Sequence, residues 1–174
     1  MIERTEYMSL LEKWRDKKII KVVTGIRRCG KSSLLRMFRE KLLAEGVSEN
    51  QVQEFNFEDL DNEPFLDYKV LYSHVKKNLC NGKMNYLFFD EIQMVGGFQK
   101  AIDSLYLLDN VDIYVTGSNA YLLSGEIATL LTGRYVEIKL FPFSFKEYLK
   151  AIPSDMSIET AYREYIEKSS FPYV

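Results

Sequence analysis

The segment from Gly25 to Ser32 constrains the fold of this chain more than any other. It fits the pattern Gly-x4-Gly-Lys-Ser/Thr, whose backbone N–H groups surround a phosphate while the lysine neutralises it and the hydroxyl binds Mg²⁺. An apolar run at 19–24 precedes it, and apolar residues at helical spacing follow it. A strand, a loop and a helix in this order place an anion at a helix N-terminus. We therefore predict a nucleotide site formed by Gly25, Arg27, Arg28, Cys29, Gly30, Lys31, Ser32 and Ser33.

The charge of the chain is balanced overall but unevenly distributed. The 174 residues carry a net charge of −2, with 47% hydrophobic and 28% charged residues, which is typical of a globular protein. Residues 1–40 hold eleven Lys/Arg and five Asp/Glu, whereas residues 45–67 hold eight acids and no base. We interpret the basic excess as the surroundings of a polyphosphate site and the acidic segment as solvated surface. A nucleic-acid surface is the alternative interpretation, and no known nucleic-acid motif accompanies it.

The two cysteines, Cys29 and Cys80, are too few and too far apart for a disulfide framework or a metal-ligand pattern. They indicate a reduced, cytoplasmic setting. No apolar run has the length of a membrane span, and the N-terminus lacks the pattern of a signal peptide. Because Lys31 and a helix N-terminus adjoin Cys29, we expect an acidic thiol that is prone to alkylation and has no catalytic role.

Hydrophobic patterning predicts five strands separated by helices. A continuous apolar run at 86–89 indicates a strand buried on both faces, whereas the alternation from Tyr135 to Leu140 indicates a half-exposed edge strand. The pattern is that of an α/β fold with a parallel sheet and right-handed crossovers. We assign residues 1–140 to this domain and residues 141–174 to the beginning of a helical subdomain, which we expect to continue beyond the chain. A capping-box signature at Ser144–Glu147 starts the helical part.

Two carboxylates follow the buried strand at 86–89. Asp90 and Glu91 should lie at the carboxyl edge of the sheet, where α/β proteins bind ligands. Asp90 is suited to hold Mg²⁺ together with Ser32, directly or through water. Glu91 can accept a proton from, or orient, a water that attacks the γ-phosphate. A solvated turn is the alternative for an Asp-Glu pair without the phosphate loop.

Three further residues are candidates for contact with the γ-phosphate. Ser118 and Asn119 follow the fourth strand and are suited to sense that phosphate or its attacking water, with a turn or a helix cap as the alternative. Arg134 precedes the edge strand and is suited either to stabilise the transferring phosphoryl group or to form a structural salt bridge. Arg27 and Arg28 lie within the loop, and we expect one of them to point into solvent.

Taken together, the segments at 21–35, 88–93, 114–119 and 141–148 resemble those of a prokaryotic AAA+-like P-loop ATPase family, in which the AAA domain is followed by a poorly characterised C-terminal domain. The resemblance implies an additional-strand, catalytic-glutamate fold with strand order 5-1-4-3-2. It implies that Lys31 and Ser32 belong to Walker A, Asp90 and Glu91 to Walker B, and Ser118 and Asn119 to the sensor. Arg134 falls in a Gly-Arg pair of this family. Ser169 and Ser170 stand where the family usually has two glycines.

The expected function is Mg²⁺-dependent ATP binding and hydrolysis that switches or moves a partner. The partner is a protein or a second copy of the chain; nucleic acid is compatible with the sequence but not indicated by it, and no membrane is expected. A nucleotide-binding switch or scaffold with little turnover is the second hypothesis. A GTPase is disfavoured because the chain has no Asn-Lys-x-Asp guanine motif.

Overall fold

The computed structural model describes residues 4–117, 133–150, 152 and 155–168. Their strands are β1 (Ile20–Gly25), β2 (Val52–Asn56), β3 (Asn85–Asp90), β4 (Val111–Gly117) and β5 (Tyr135–Leu140). Their helices are α1 (Thr5–Trp14), α2 (Lys31–Ala44), α3 (Tyr68–Lys77), α4 (Phe98–Tyr106), α5 (Phe145–Leu149) and α6 (Ile158–Lys168), with short 3₁₀ turns at Glu49–Gln51, Leu60–Phe65 and Ile92–Met94.

The five strands form one parallel sheet in the order β2-β3-β4-β1-β5. This order confirms the predicted α/β fold and the predicted arrangement 5-1-4-3-2. β1 lies between β4 and the edge strand β5, so the loop that follows Gly25 emerges from the carboxyl edge one strand in from the end of the sheet. β3 lies next to β4, which brings the residues after Phe89 to the same edge.

Burial on both faces explains the composition of the central strands. Every residue of β1, β3 and β4 is buried, whereas the edge strand β5 alternates and buries only Ile138 and Leu140. One face packs against α3 and α4 through a core that includes Phe89, and the other packs against α1 and α2 through a core that includes Phe38. A fully buried side chain of this size stabilises the fold by about 1.5–3 kcal/mol. The packing on both faces supports the carboxyl edge of the sheet.

A buried ion pair interrupts the second of these cores. Lys21 on β1 and Asp112 on β4 are 0% and 1% exposed and are hydrogen-bonded to each other. Asp112 also accepts hydrogen bonds from the hydroxyl of Tyr114 at 2.8 Å and from the backbone N–H of Asp16 at 2.9 Å. Burial raises the pKa of Asp112 and lowers the pKa of Lys21, because both charged forms lose water. The pair lies near the amino ends of the strands, away from the phosphate loop.

The segment after β5 forms two short packed helices. The predicted capping box is present, because Ser144 accepts from the backbone N–H of Glu147 and Glu147 accepts from that of Ser144. Aromatic side chains join α5 to α6, and the hydroxyl of Tyr165 donates to the carbonyl of Phe143 at 2.7 Å. These aromatic residues are Phe145, Tyr148, Tyr162 and Tyr165. Among the described residues, no helix is long and apolar enough to cross a membrane.

Candidate nucleotide-binding site

The loop between β1 and α2 turns sharply at positions that favour glycine. A Cβ on Gly25 would lie 2.5 Å from the carbonyl oxygen of Leu140 and 2.7 Å from Sγ of Cys29, so a larger residue does not fit. Gly30 has φ 98° immediately before α2 begins, a left-handed conformation that glycine adopts without a steric penalty. Arg28 adopts φ 67°, which is uncommon for a non-glycine residue. The loop is therefore held in one compact shape against β5.

The first turn of α2 is available to an anion. No side chain caps this N-terminus, and no acidic residue lies in the first turn. Lys31, Ser32 and Ser33 occupy that turn, where backbone N–H groups have no intrahelical acceptor. The partial positive charge of the helix end favours an anion at this position. These features fit the phosphates of a nucleotide.

A cleft of about 160 Å³ opens in front of this turn. Three of its lining side chains are cationic, and the others are small, polar or acidic. The lining residues are Arg27, Arg28, Gly30, Lys31, Ser32, Glu58 and Glu91. The cleft therefore brings together most of the loop residues predicted from the sequence and one of the two predicted carboxylates.

The cleft holds an ion pair between its two central residues. Nζ of Lys31 lies 3.4 Å from Oε1 of Glu91, and the two side chains are 4% and 16% exposed. The other oxygen of Glu91 accepts from Nε2 of Gln93 at 2.5 Å. Glu91 lies just after the end of β3, and its φ of 52° is a left-handed conformation. Both carboxylate oxygens therefore have partners within the protein.

Asp90 ends β3 and is held by a residue that the sequence analysis did not identify. Its side chain is 8% exposed, and its Oδ1 accepts a hydrogen bond from the hydroxyl of Thr116 on β4. The same hydroxyl accepts from the backbone N–H of Glu91 at 3.0 Å. Thr116 thus orients both residues of the Asp-Glu pair. The sequence signal for this role was a polar residue near the end of β4, the strand beside β3.

The residues at this edge fit a magnesium ion that takes most of its ligands from phosphate and water. The described part of the chain has no cluster of three or more His, Cys, Asp or Glu side chains suited to a metal. Mg²⁺ in nucleotide sites needs only one or two protein oxygens, because phosphate and water complete its shell. Ser32 lines the cleft and Asp90 lies beside Glu91, so one hydroxyl and one carboxylate are supplied from this edge.

The prediction of an acidic Cys29 thiol was wrong. Cys29 is fully buried in the core beneath the loop. Burial raises the pKa of its thiol, and this effect outweighs the opposite influence of the positive charges of Lys31 and Arg4. The side chain therefore packs as an apolar group and does not face the cleft, although its backbone belongs to the loop.

Arg27 points into solvent at the rim of the cleft. Its side chain is 85% exposed, and its nearest acidic partner is Glu58 at 3.4 Å. Glu58 follows β2 at the same edge of the sheet and was not predicted as a site residue; the acidic run from Glu58 to Pro64 was its signal. Arg28 is also exposed, and both arginines line the cleft.

Arg134 lies away from the cleft of its own chain. It precedes β5 at the amino edge of the sheet, where its carbonyl accepts from the N–H of Ile20 at 2.8 Å. The length of β5 separates this edge from the loop by about 17 Å at 3.3 Å per residue. Its guanidinium forms a salt bridge with Asp103 on α4, which is the structural alternative. Ser118 and Asn119 lie outside the described residues.

Comparisons with known proteins agree with this geometry. A family model described as an AAA domain matches residues 17–149. An uncharacterised protein of Haemophilus influenzae is 40% identical over 178 residues, covering 100% of this chain and 44% of its own length. A protein of Methanocaldococcus jannaschii is 33% identical over 133 residues, covering 75% of this chain and 28% of its own. The chain thus spans less than half the length of these two relatives.

Solved structures show the same fold at low sequence identity. A Walker-type ATPase of Pyrococcus abyssi has a TM-score of 0.58 at 20% identity, covering 95% of this chain and 63% of the other. AMPPCP-bound DnaA from Aquifex aeolicus has a TM-score of 0.58 at 16% identity, covering 91% and 53%. Cdc6p from Pyrobaculum aerophilum has a TM-score of 0.58 at 10% identity, with the same coverage of 91% and 53%.

Proposed function

Since the chain belongs to the family of AAA domains, we propose that it binds ATP with Mg²⁺ and hydrolyses its terminal phosphoanhydride bond. The observation that carries this proposal is the pairing of Lys31 with Glu91 across a cationic cleft at the N-terminus of α2. A phosphate-binding cation and a carboxylate suited to activate water lie within one cleft. A site that only bound phosphate would need the lysine but not the carboxylate.

The residues of the cleft have distinct proposed roles. The backbone N–H groups at the start of α2 and the ammonium of Lys31 bind the phosphates, and the exposed Arg28 adds positive charge. Ser32 and Asp90 hold the magnesium ion, which neutralises charge on the phosphates when bound. Glu91 orients the attacking water and accepts its proton, a contribution of about 10²- to 10⁴-fold in rate. Ser118 and Asn119 remain proposed as sensors of the γ-phosphate.

ATP is the proposed nucleotide because the sequence has no Asn-Lys-x-Asp motif for guanine. We propose that hydrolysis switches or moves a protein partner or a second copy of the chain, in the cytoplasm. The net charge of −2 gives no general reason to propose nucleic acid.

Phosphate release from ATP in the presence of Mg²⁺ or EDTA tests the proposal. We expect release with Mg²⁺, none with EDTA, and at least about tenfold less from Asp90→Asn. Asp103→Asn is the matched control, because Asp103 pairs with Arg134 away from the cleft and should leave release unchanged. Equal release with Mg²⁺ and EDTA would contradict the proposed role of the metal.

A switch or scaffold with little turnover is the second candidate. The observation in its favour is that Lys31 and Gln93 occupy both oxygens of Glu91, which leaves the carboxylate engaged within the protein. Tight ATP binding with negligible phosphate release, in the presence of Mg²⁺, would favour this candidate. Multiple turnovers would exclude it.

A further inference from the structure

A buried arginine lies between the phosphate loop and the helices that follow the sheet. Arg4 precedes α1 and is only 3% exposed. Its guanidinium is near the rings of Tyr7 and Phe143, with centroids at 4.6 and 5.2 Å. A buried guanidinium needs several acceptors, because its desolvation is costly when they are absent. Arg4 finds its acceptors in two separate parts of the chain.

The first acceptor belongs to the phosphate loop. Nη1 of Arg4 donates to the carbonyl of Cys29 at 3.2 Å, in the residue before Gly30. The carbonyl of Cys29 shares a peptide plane with the N–H of Gly30, so the positions of these two loop groups are linked. Arg4 therefore restrains the backbone that we propose to bind phosphate.

The other acceptors belong to the segment between β5 and α5. Nε and Nη2 of Arg4 donate to the two oxygens of Glu147 at 2.8 and 3.1 Å, a bidentate pair. Nη1 also donates to the carbonyl of Phe141 at 2.7 Å, and Nη2 to that of Pro142 at 3.4 Å. One cation thus fixes the loop and this segment relative to each other.

Glu147 extends the connection into the helix pair. It caps α5 through the backbone N–H of Ser144 at 2.9 Å, so the same carboxylate holds Arg4 and the start of the helix. α5 contacts α6 through ring pairs, with centroids 5.2 Å apart for Phe145 and Tyr162 and 5.4 Å apart for Tyr148 and Tyr165. A continuous series of contacts, through Arg4, Glu147 and α5, therefore joins the phosphate loop to α6.

We propose that Arg4 is a positioning residue that couples nucleotide binding at the phosphate loop to the position of the α5–α6 pair. The inference rests on the proposed function, since it needs a nucleotide in the cleft. A nucleotide that fixes the loop also fixes the carbonyl of Cys29, and through Arg4 the carboxylate of Glu147. Coupling between two sites is reciprocal, so α5 held by Glu147 in turn strengthens nucleotide binding.

Two variants remove the connection in different ways. Arg4→Lys keeps a positive charge but loses the forked donor, and Glu147→Gln keeps the shape of the acceptor but loses its charge. Arg15→Lys is the matched control, because Arg15 pairs with Glu12 and Glu45 away from the phosphate loop and α5. Circular dichroism and thermal unfolding establish that each variant is folded.

The experiment measures ATP affinity with a fluorescent analogue and amide hydrogen exchange of residues 145–149 with and without ATP. In the parent chain we expect ATP to slow this exchange. Arg4→Lys and Glu147→Gln should bind ATP about tenfold more weakly and lose the ATP-dependent slowing, whereas Arg15→Lys should keep both. A merely structural role for Arg4 would leave the ATP-dependent difference intact.

The outcomes separate this inference from the proposed function. If the parent chain binds ATP but the exchange of residues 145–149 does not respond, the coupling does not exist. If a folded Arg4→Lys or Glu147→Gln variant keeps both the affinity and the response, Arg4 is not the connection. Failure of the parent chain to bind ATP would contradict the proposed function itself, and the inference with it.

Discussion

Nζ of Lys31 lies 3.4 Å from Oε1 of Glu91, so the cation of the phosphate loop and the carboxylate after β3 are paired across the cleft. The pair is well shielded from water, which strengthens its attraction relative to a surface pair. Phosphates that enter the cleft compete for the same ammonium. We therefore expect nucleotide binding to release one oxygen of Glu91 toward the attacking water.

Replacing Lys31 with methionine should weaken ATP binding by about 10- to 100-fold, because it removes a charged hydrogen bond to phosphate of about 1.5–3 kcal/mol. Titration with a fluorescent ATP analogue measures the effect. Lys41→Met is the matched control, since Lys41 lies on the same helix but pairs with Glu12 and Glu45. Equal affinities of Lys31→Met and the parent chain would remove Lys31 from the phosphate site.

Replacing Thr116 with valine should destabilise the fold by about 1–3 kcal/mol, because buried Asp90 and the N–H of Glu91 lose a shared partner. Urea unfolding measures this loss. Phosphate release should also fall, since the Asp-Glu pair is no longer oriented. Thr24→Val is the matched control: the hydroxyl of Thr24 donates to the exposed Glu137 at 2.5 Å, so turnover should be unchanged. Unchanged turnover in Thr116→Val would contradict the orienting role.

Alkylation should distinguish the two cysteines. Cys29 is fully buried and its pKa is raised by burial, whereas Cys80 is half-buried. Iodoacetamide at about pH 7.5 should therefore modify Cys80 first and Cys29 only on unfolding, because the thiolate is the reactive form. Peptide mass spectrometry gives the two rates. Faster labelling of Cys29 in the folded protein would show that its thiol is accessible and acidic.

Stability should depend on the ionisation of Glu147. Partial burial acts to raise its pKa, but hydrogen bonds from Arg4 and Ser144 prevail and lower it below 4.5. The folded state then binds this proton less readily than the unfolded state, so the stabilisation is complete above about pH 5 and is lost as pH falls through the folded pKa.

Urea unfolding of Glu147→Gln measures this contribution. At neutral pH the variant should be less stable by about 2 kcal/mol, the size of a hydrogen bond to a charged group. The difference from the parent chain should narrow as the pH falls below the unfolded pKa. Glu6→Gln, at an exposed position of α1, should show no such difference. A difference that stays constant down to about pH 3 would contradict the assignment.

Local sequence patterns were sufficient for the sheet and for the phosphate loop. The apolar run at 86–89 predicted a strand buried on both faces, and the alternation from Tyr135 to Leu140 predicted the edge strand, because burial imposes these patterns directly. Asp90 and Glu91 could be placed at the carboxyl edge because they directly follow this buried strand. The separate environments of these two carboxylates could not be predicted from local patterns. They depend on Thr116 and Lys31, which belong to other segments, and on Gln93, which lies in the turn after β3.

Arg134 shows where local patterns left two roles open. Its position after a Gly suggested a contact with phosphate, yet a residue that precedes a parallel strand must lie at the amino edge of the sheet. Arg4 shows the opposite case. The residues beside it in the sequence form no motif that indicates a role for it, and its partners Cys29 and Glu147 are 25 and 143 residues away. Only the tertiary structure brings these three residues together.

Phosphate release by Glu91→Gln tests the central claim most directly. With Mg²⁺ and saturating ATP, we expect the variant to bind ATP within about twofold of the parent chain and to release phosphate about 100-fold more slowly, because an amide cannot accept the proton. Arg134→Gln, at the amino edge, should release phosphate at the parent rate. Equal release from Glu91→Gln and the parent chain would contradict the assignment of this cleft as a hydrolysis site.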